Sequence, residues 1–176
     1  GEVEGGELRA AAQEQVTQYV KTHLSDGCGA VHGSTSPDGE LVITCRISGT
    51  KLNPRNFWNG RWTSFFFITV PAGASSAPLK GRVSAAVHTY EDGNVQLDAK
   101  KDVEGSLSWS SPATFGSALV KQIQEAETAL HHFIDDSCGA AETPFKSLRR
   151  KMPITQTKFQ WNKIAAYSLA KELQSK

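Results

Sequence analysis

The sequence predicts an α+β protein: an antiparallel sheet of about five strands, a long helix across one face, and a carboxyl-terminal amphipathic helix. Three observations carry this. From Cys28 to Ala99 the chain breaks into short β-prone runs separated by Pro, Gly, Asn and Asp clusters; an Asp-Gly step separates two of those runs; and the segments on either side switch to a helical apolar period.

From Leu8 to Leu24, the residues Leu8, Ala11, Ala12, Val16, Tyr19 and Val20 form a mixed apolar stripe at helical spacing. This predicts a helix closing near Ser25-Asp26-Gly27. Residues 1–25 form the first unit of the chain, carried by this helix. The sheet occupies 26–110, with strands at "GAVHGST", "ELVITCRIS", "RWTSFFFITV", "RVSAAVHTY" and "NVQLDA". Asp92-Gly93 is the strongest hairpin signal, because glycine at positive φ fits the turn that matches strand twist. The Pro, Ala, Ser and Gly residues from Pro71 to Gly81 read as a flexible loop, and "HGSTSPDG" reads as a turn. In "NPRNFWNGRW" an Asn59-Gly60 turn gathers Phe57, Trp58 and Trp62, with Arg55 and Arg61 nearby. Burial of aromatics makes core the favoured reading, with an aromatic-basic recognition surface as the alternative.

Residues 111–142 return to a helical period, with Phe115, Leu119, Ile123, Ala126, Leu130 and Phe133 or Ile134 on one stripe. Ser110 or Ser111 is placed to cap it and Pro112 suits the first turn. A helix of roughly 20 residues spans about 30 Å, enough to cross a small sheet. Residues 143–176 close the chain. Beyond Pro153, Phe159 to Leu173 is helix-compatible and apolar on more than one flank, so one flank can pack on the body while another meets a partner groove or a membrane surface.

The 176 residues carry 19 Lys plus Arg against 18 Asp plus Glu, and 39% are hydrophobic, which suits one ordinary domain. Seven cations and no acid lie between Thr143 and Lys171. That stretch carries +7 in a chain of net charge +1, leaving −6 elsewhere. The asymmetry points the tail at an acidic partner, and the balanced total argues against a nucleic-acid-binding protein. Cys28, Cys45 and Cys138 form no CxxC pair and read as free thiols in a reducing compartment. With no signal peptide, no apolar run long enough to span a membrane and no Asn-x-Ser/Thr acceptor, the cytoplasm is the default location. The Gly/Glu-rich lead without an initiating Met suggests a piece of something longer.

No GxSxG, GxxxxGK[ST], GxGxxG or HExxH motif and no spaced Cys/His cluster is present. Adjacent His131 and His132 point to different sides of a helix and make poor co-ligands. Ser34 and Ser36 beside His32 lack an elbow's glycines, and Asp135-Asp136 reads as a solvated helix end. The sequence therefore predicts no enzyme, no cofactor and no metal site.

The strings "HTYEDGNVQL", "KKDVEGSL", "NPRNFWNGRW" and "PFKSLRRKMPITQTKFQWNKIAAYSLAKEL", in this order over about Glu7 to Lys176, resemble the alpha subunit of the F-actin capping protein. The resemblance implies a heterodimer with a beta subunit through a continuous antiparallel sheet, a long helix from each subunit on top, and capping of the barbed end of an actin filament. In that family a basic carboxyl-terminal tentacle, here 143–176, supplies much of the end contact. The family's key basic positions map onto Lys146, Arg150 and Lys158; Arg149 and Trp161 also match, and Lys163 joins them as an expected actin contact. Gln156 and Ser168 stand where vertebrate-like members tend to be basic. Phosphoinositides are a further implied partner, since polybasic segments are drawn to anionic lipid. Two alternatives stay open: a cap for an actin-related filament in a motor adaptor complex, and a membrane- or calmodulin-binding tail on a scaffold.

Overall fold

The computed structural model describes residues 2–24, 26–90 and 95–139. Strands β1 (Gly27–Thr35), β2 (Leu41–Asn53), β3 (Trp58–Val70), β4 (Ser76–Thr89) and β5 (Val95–Ser108) form one antiparallel sheet whose spatial order is their chain order. Helices α1 (Glu2–His23) and α2 (Pro112–Gly139) cover one face of it. Gly116, near the start of α2, faces Ala11 in the middle of α1, and further along Tyr19 meets Glu127, so the two helices run in the same direction. This is the α+β architecture read from the sequence.

The covered face follows from period two. On β3, Trp58, Gly60, Trp62, Ser64, Phe66, Ile68 and Val70 point inward, and Ile43, Cys45 and Ile47 of β2 and Leu79, Val83, Ala85 and Val87 of β4 join them. Against these pack Leu8, Ala12, Val16 and Val20 of α1 and Phe115, Leu119, Ile123, Leu130 and Ile134 of α2. Each large side chain so buried contributes about 1.5–3 kcal/mol relative to exposure. Of the two candidates closing the α2 stripe, Ile134 is buried and Phe133 exposed. Ser111 caps α2, its Oγ accepting from the Thr114 N–H at 3.3 Å, with Pro112 at the first helical position.

Several details depart from the sequence reading. Asn59-Gly60 is strand, not turn; the chain reverses through a 3-10 turn at Pro54–Asn56 and Phe57, whose φ of 55° places it in the left-handed region. Trp58 and Trp62 are core, as favoured, whereas Phe57 is exposed. The loop expected over Pro71 to Gly81 is shorter, because β4 begins at Ser76 and buries Ala77 and Leu79. Pro78 is tolerated there since β3 pairs with β4 only as far as Leu79, leaving its missing N–H on an unpaired side. β5 runs to Ser108 rather than stopping at Ala99, and α1 starts at Glu2 rather than Leu8. Asp92-Gly93 lies outside the described residues, although its flanks pair antiparallel at Thr89 and Val95.

Candidate interaction surfaces

Under the helices the sheet is sealed around one carboxyl group. Glu127 of α2 is 3% exposed. Its Oε2 accepts from the Tyr19 hydroxyl of α1 at 2.7 Å and its Oε1 from the Ser64 hydroxyl of β3 at 2.6 Å. Ser64 Oγ in turn accepts from Trp62 Nε1–H at 3.1 Å. The Trp62 ring stacks on His131 at 4.8 Å, and Tyr19 stacks on His23 at 4.2 Å. Three elements therefore meet at one side chain. Burial pushes the Glu127 carboxyl upward, against the hydrogen bonds from Ser64 and Tyr19 that favour the anion. Burial, and then the charge of Glu127, pushes the Cys45 thiol up to about 12, and the same two causes raise Tyr19. A carboxyl so enclosed by packed side chains is suited to holding elements together rather than to meeting a substrate.

Among the described residues no element covers the opposite, outer face. Arg46, Phe65, Arg82 and Asp102 lie in one cross-strand row, and Thr44, Phe67, Lys80 and Glu104 in the next. Phe65 and Phe67 meet edge to face, with centroids 4.9 Å apart. A shallow depression of about 350 Å³ lies beside them, edged by Thr63, Ser84 and Arg82. Arg82 Nε donates to Asp102 Oδ1 at 2.6 Å, which holds that carboxyl below its usual range. Lys80–Glu104 and Lys100–Asp98 pair at 3.7 and 3.0 Å.

At the end of the sheet reached by the β2–β3 reversal, Phe57 meets the Tyr90 ring edge-on at 5.8 Å, and the Tyr90 N–H donates to the Phe57 carbonyl at 2.9 Å. Among the described residues β1 and β5 each pair on one side, leaving two edges. The β5 edge is the longer and carries Lys100, Lys101, Asp102 and Glu104 in succession.

His32 and Ser34 both lie exposed on β1, and Ser34 lines a cleft of about 680 Å³ between the start of α1 and the loop after β3. His131 and His132 diverge as expected, one against Trp62 and the other exposed. Among the described residues no group of three or more His, Cys, Asp or Glu is placed to hold a metal, and no helix is long and apolar enough to cross a membrane. The expected actin contacts Lys146, Arg149, Arg150, Lys158, Trp161 and Lys163, with the tail helix itself, lie outside the described residues. The Glu127 node was missed by sequence reasoning, since its partners lie 108 and 63 residues away and no local pattern links them.

The described residues thus form a sheet with one face sealed by helices, one open face and two edges. The chain belongs to the F-actin capping protein alpha subunit family, whose model matches residues 2–172. It is 36% identical over 174 residues to the F-actin-capping protein subunit alpha of Chaetomium thermophilum, covering 97% of this chain and 59% of that protein. With the Dictyostelium discoideum subunit the identity is 33%, covering 98% and 62%. The chain thus spans about three fifths of the length of these relatives. Its fold is similar to that of the homodimeric actin capping protein alpha subunit from Plasmodium berghei, with a TM-score of 0.63 at 16% identity over 72% of this chain and 53% of that one.

Proposed function

We propose that this chain caps the barbed end of actin filaments as the alpha subunit of a heterodimer, blocking both gain and loss of subunits. The observation that carries this reading is the family match along nearly the whole chain, together with the acid-free +7 stretch from Thr143 to Lys171. In this reading β5 offers its edge to a beta subunit and residues 143–176 act as a separate basic contact segment. Lys146, Arg149, Arg150, Lys158 and Lys163 steer encounter with an acidic filament end, while burial of Trp161 slows departure. Arginines at positions 149 and 150 suit bidentate pairing with carboxylates. The same cations attract phosphoinositides, which then compete with capping.

The test is elongation from filament seeds with free barbed ends, using the chain co-expressed with a beta subunit. Wild type is expected to inhibit growth, and a Lys146/Arg150/Lys158 triple-alanine variant to lose about 1 kcal/mol per rim contact and about 2–5 kcal/mol for a desolvated one. Unslowed elongation with wild type would overturn the capping reading.

A further inference from the structure

Strands β1 to β4 contain no Asp or Glu, and between Leu41 and Tyr90 the chain has six cations and no acid. Two of these, Lys80 and Arg82, are matched by Glu104 and Asp102 of β5. Arg46 and Arg61, both on the outer face, have no anionic partner among the described residues, and neither has Arg55 in the turn. The open face is also unusually apolar for a solvated sheet. Leu52 is 72% exposed, Phe57 46%, Phe67 44% and Tyr90 39%, and all four lie on this face or at its β2–β3 end. A sheet face of this kind is normally completed by a further layer, and surplus cations beside apolar groups select an anionic one.

We propose that the outer face of β2–β4 docks an acidic amphipathic helix of a partner protein. Its apolar stripe covers Leu52, Phe65 and Phe67, and its carboxylates meet Arg46 and Arg61. Arg46 stands opposite Phe65, and Arg61 lies four residues along β3 from Phe65. The two cations are therefore about 14 Å apart along the strands, between two and three helical turns. A helix of about five turns satisfies both and also reaches from Leu52, opposite Asn59, to Phe67, eight residues along β3. Single-stranded nucleic acid fits less well, because Phe65 and Phe67 are inclined at 76° and offer no pair of parallel stacking platforms, and Leu52 gives a base nothing to stack on. The variants that test it leave Lys146, Arg150 and Lys158 intact.

The probe is a fluorescein-labelled peptide of ~18 residues, long enough for about five turns, built from Leu on one helical face and Glu on the other. It is titrated by anisotropy against the full chain, beside a scrambled peptide of the same composition and a single-stranded oligothymidine. Saturable binding by the patterned peptide is expected. Binding should weaken at least tenfold, about 1.4 kcal/mol, in Arg46→Glu/Arg61→Glu and in Phe67→Ser, and weaken with added salt. Arg46→Gln/Arg61→Gln replaces the reversed pair if that variant fails to fold. The proposal is overturned if wild type does not saturate, if the scrambled peptide binds equally, if the variants bind undiminished, or if oligothymidine binds more tightly.

Discussion

Glu127 carries the polar weight of the interior, and its environment fixes the sign of a pH effect. Burial raises its carboxyl, so the folded state holds the proton more tightly than the unfolded chain. The stability this group contributes is complete below its ordinary value of 4.5 and is lost as pH rises through the raised folded value. Thermal unfolding followed against pH should show wild type losing ground above about pH 4.5 relative to Glu127→Gln, which stays neutral; parallel profiles would refute the assignment. Tyr19→Phe leaves Oε2 without its donor and is expected to cost about 1–3 kcal/mol in urea denaturation. Cysteine chemistry divides in the same way. The Cys45 thiol, buried and pushed up to about 12, should resist iodoacetamide at neutral pH until the protein unfolds, while exposed Cys28 labels in the native state. Peptide mass spectrometry separates the two sites.

At the scale of elements, the two helices approach closely at Gly116. A Cβ on Gly116 would lie 2.8 Å from the Ala11 carbonyl oxygen and 2.9 Å from Gln15 Cγ. Gly116→Val should therefore cost about 1–3 kcal/mol by forcing α1 and α2 apart, read from the denaturation midpoint. The elements differ in how plainly the sequence announces them. Alternation announced β2, where "ITCRI" turns Ile43, Cys45 and Ile47 inward and Thr44 and Arg46 outward, whereas β3 was announced by its density of aromatic residues, since "RWTSFFF" turns Ser64 inward and Phe65 and Phe67 outward. The second half of β5 was hidden because Lys100, Lys101, Asp102 and Glu104 lie exposed at an edge where nothing demands an apolar partner. Asn59-Gly60 misled because a strong turn pair was read without its register; Asn59 pairs with Leu52 and His88, and Pro54 had already made the turn. The basic stretch is plain from charge alone, and its role rests on residues outside those described. The outer-face cations went unread because they lie on strands far apart in the chain and only pairing aligns them.

For the whole molecule, the open β5 edge sets the expected behaviour in solution. Prepared alone, the chain should self-associate with rising concentration in sedimentation velocity, and co-expression with a beta subunit should replace those species with one of fixed mass. A monomer at every concentration would mean that the charges along β5 already blunt the edge. The order of the strands also governs timing. Because spatial order is chain order, each strand meets its neighbour as soon as it leaves the ribosome. Tyr19 has no such neighbour: its carboxylate partner is made 108 residues later. At bacterial or eukaryotic elongation speeds that is a wait of roughly 5–20 s. Throughout it α1 has β1 for company, with Val16 and Val20 lying against Gly29, and α2, the last described element to be synthesised, brings the acceptor that completes the Tyr19 contact.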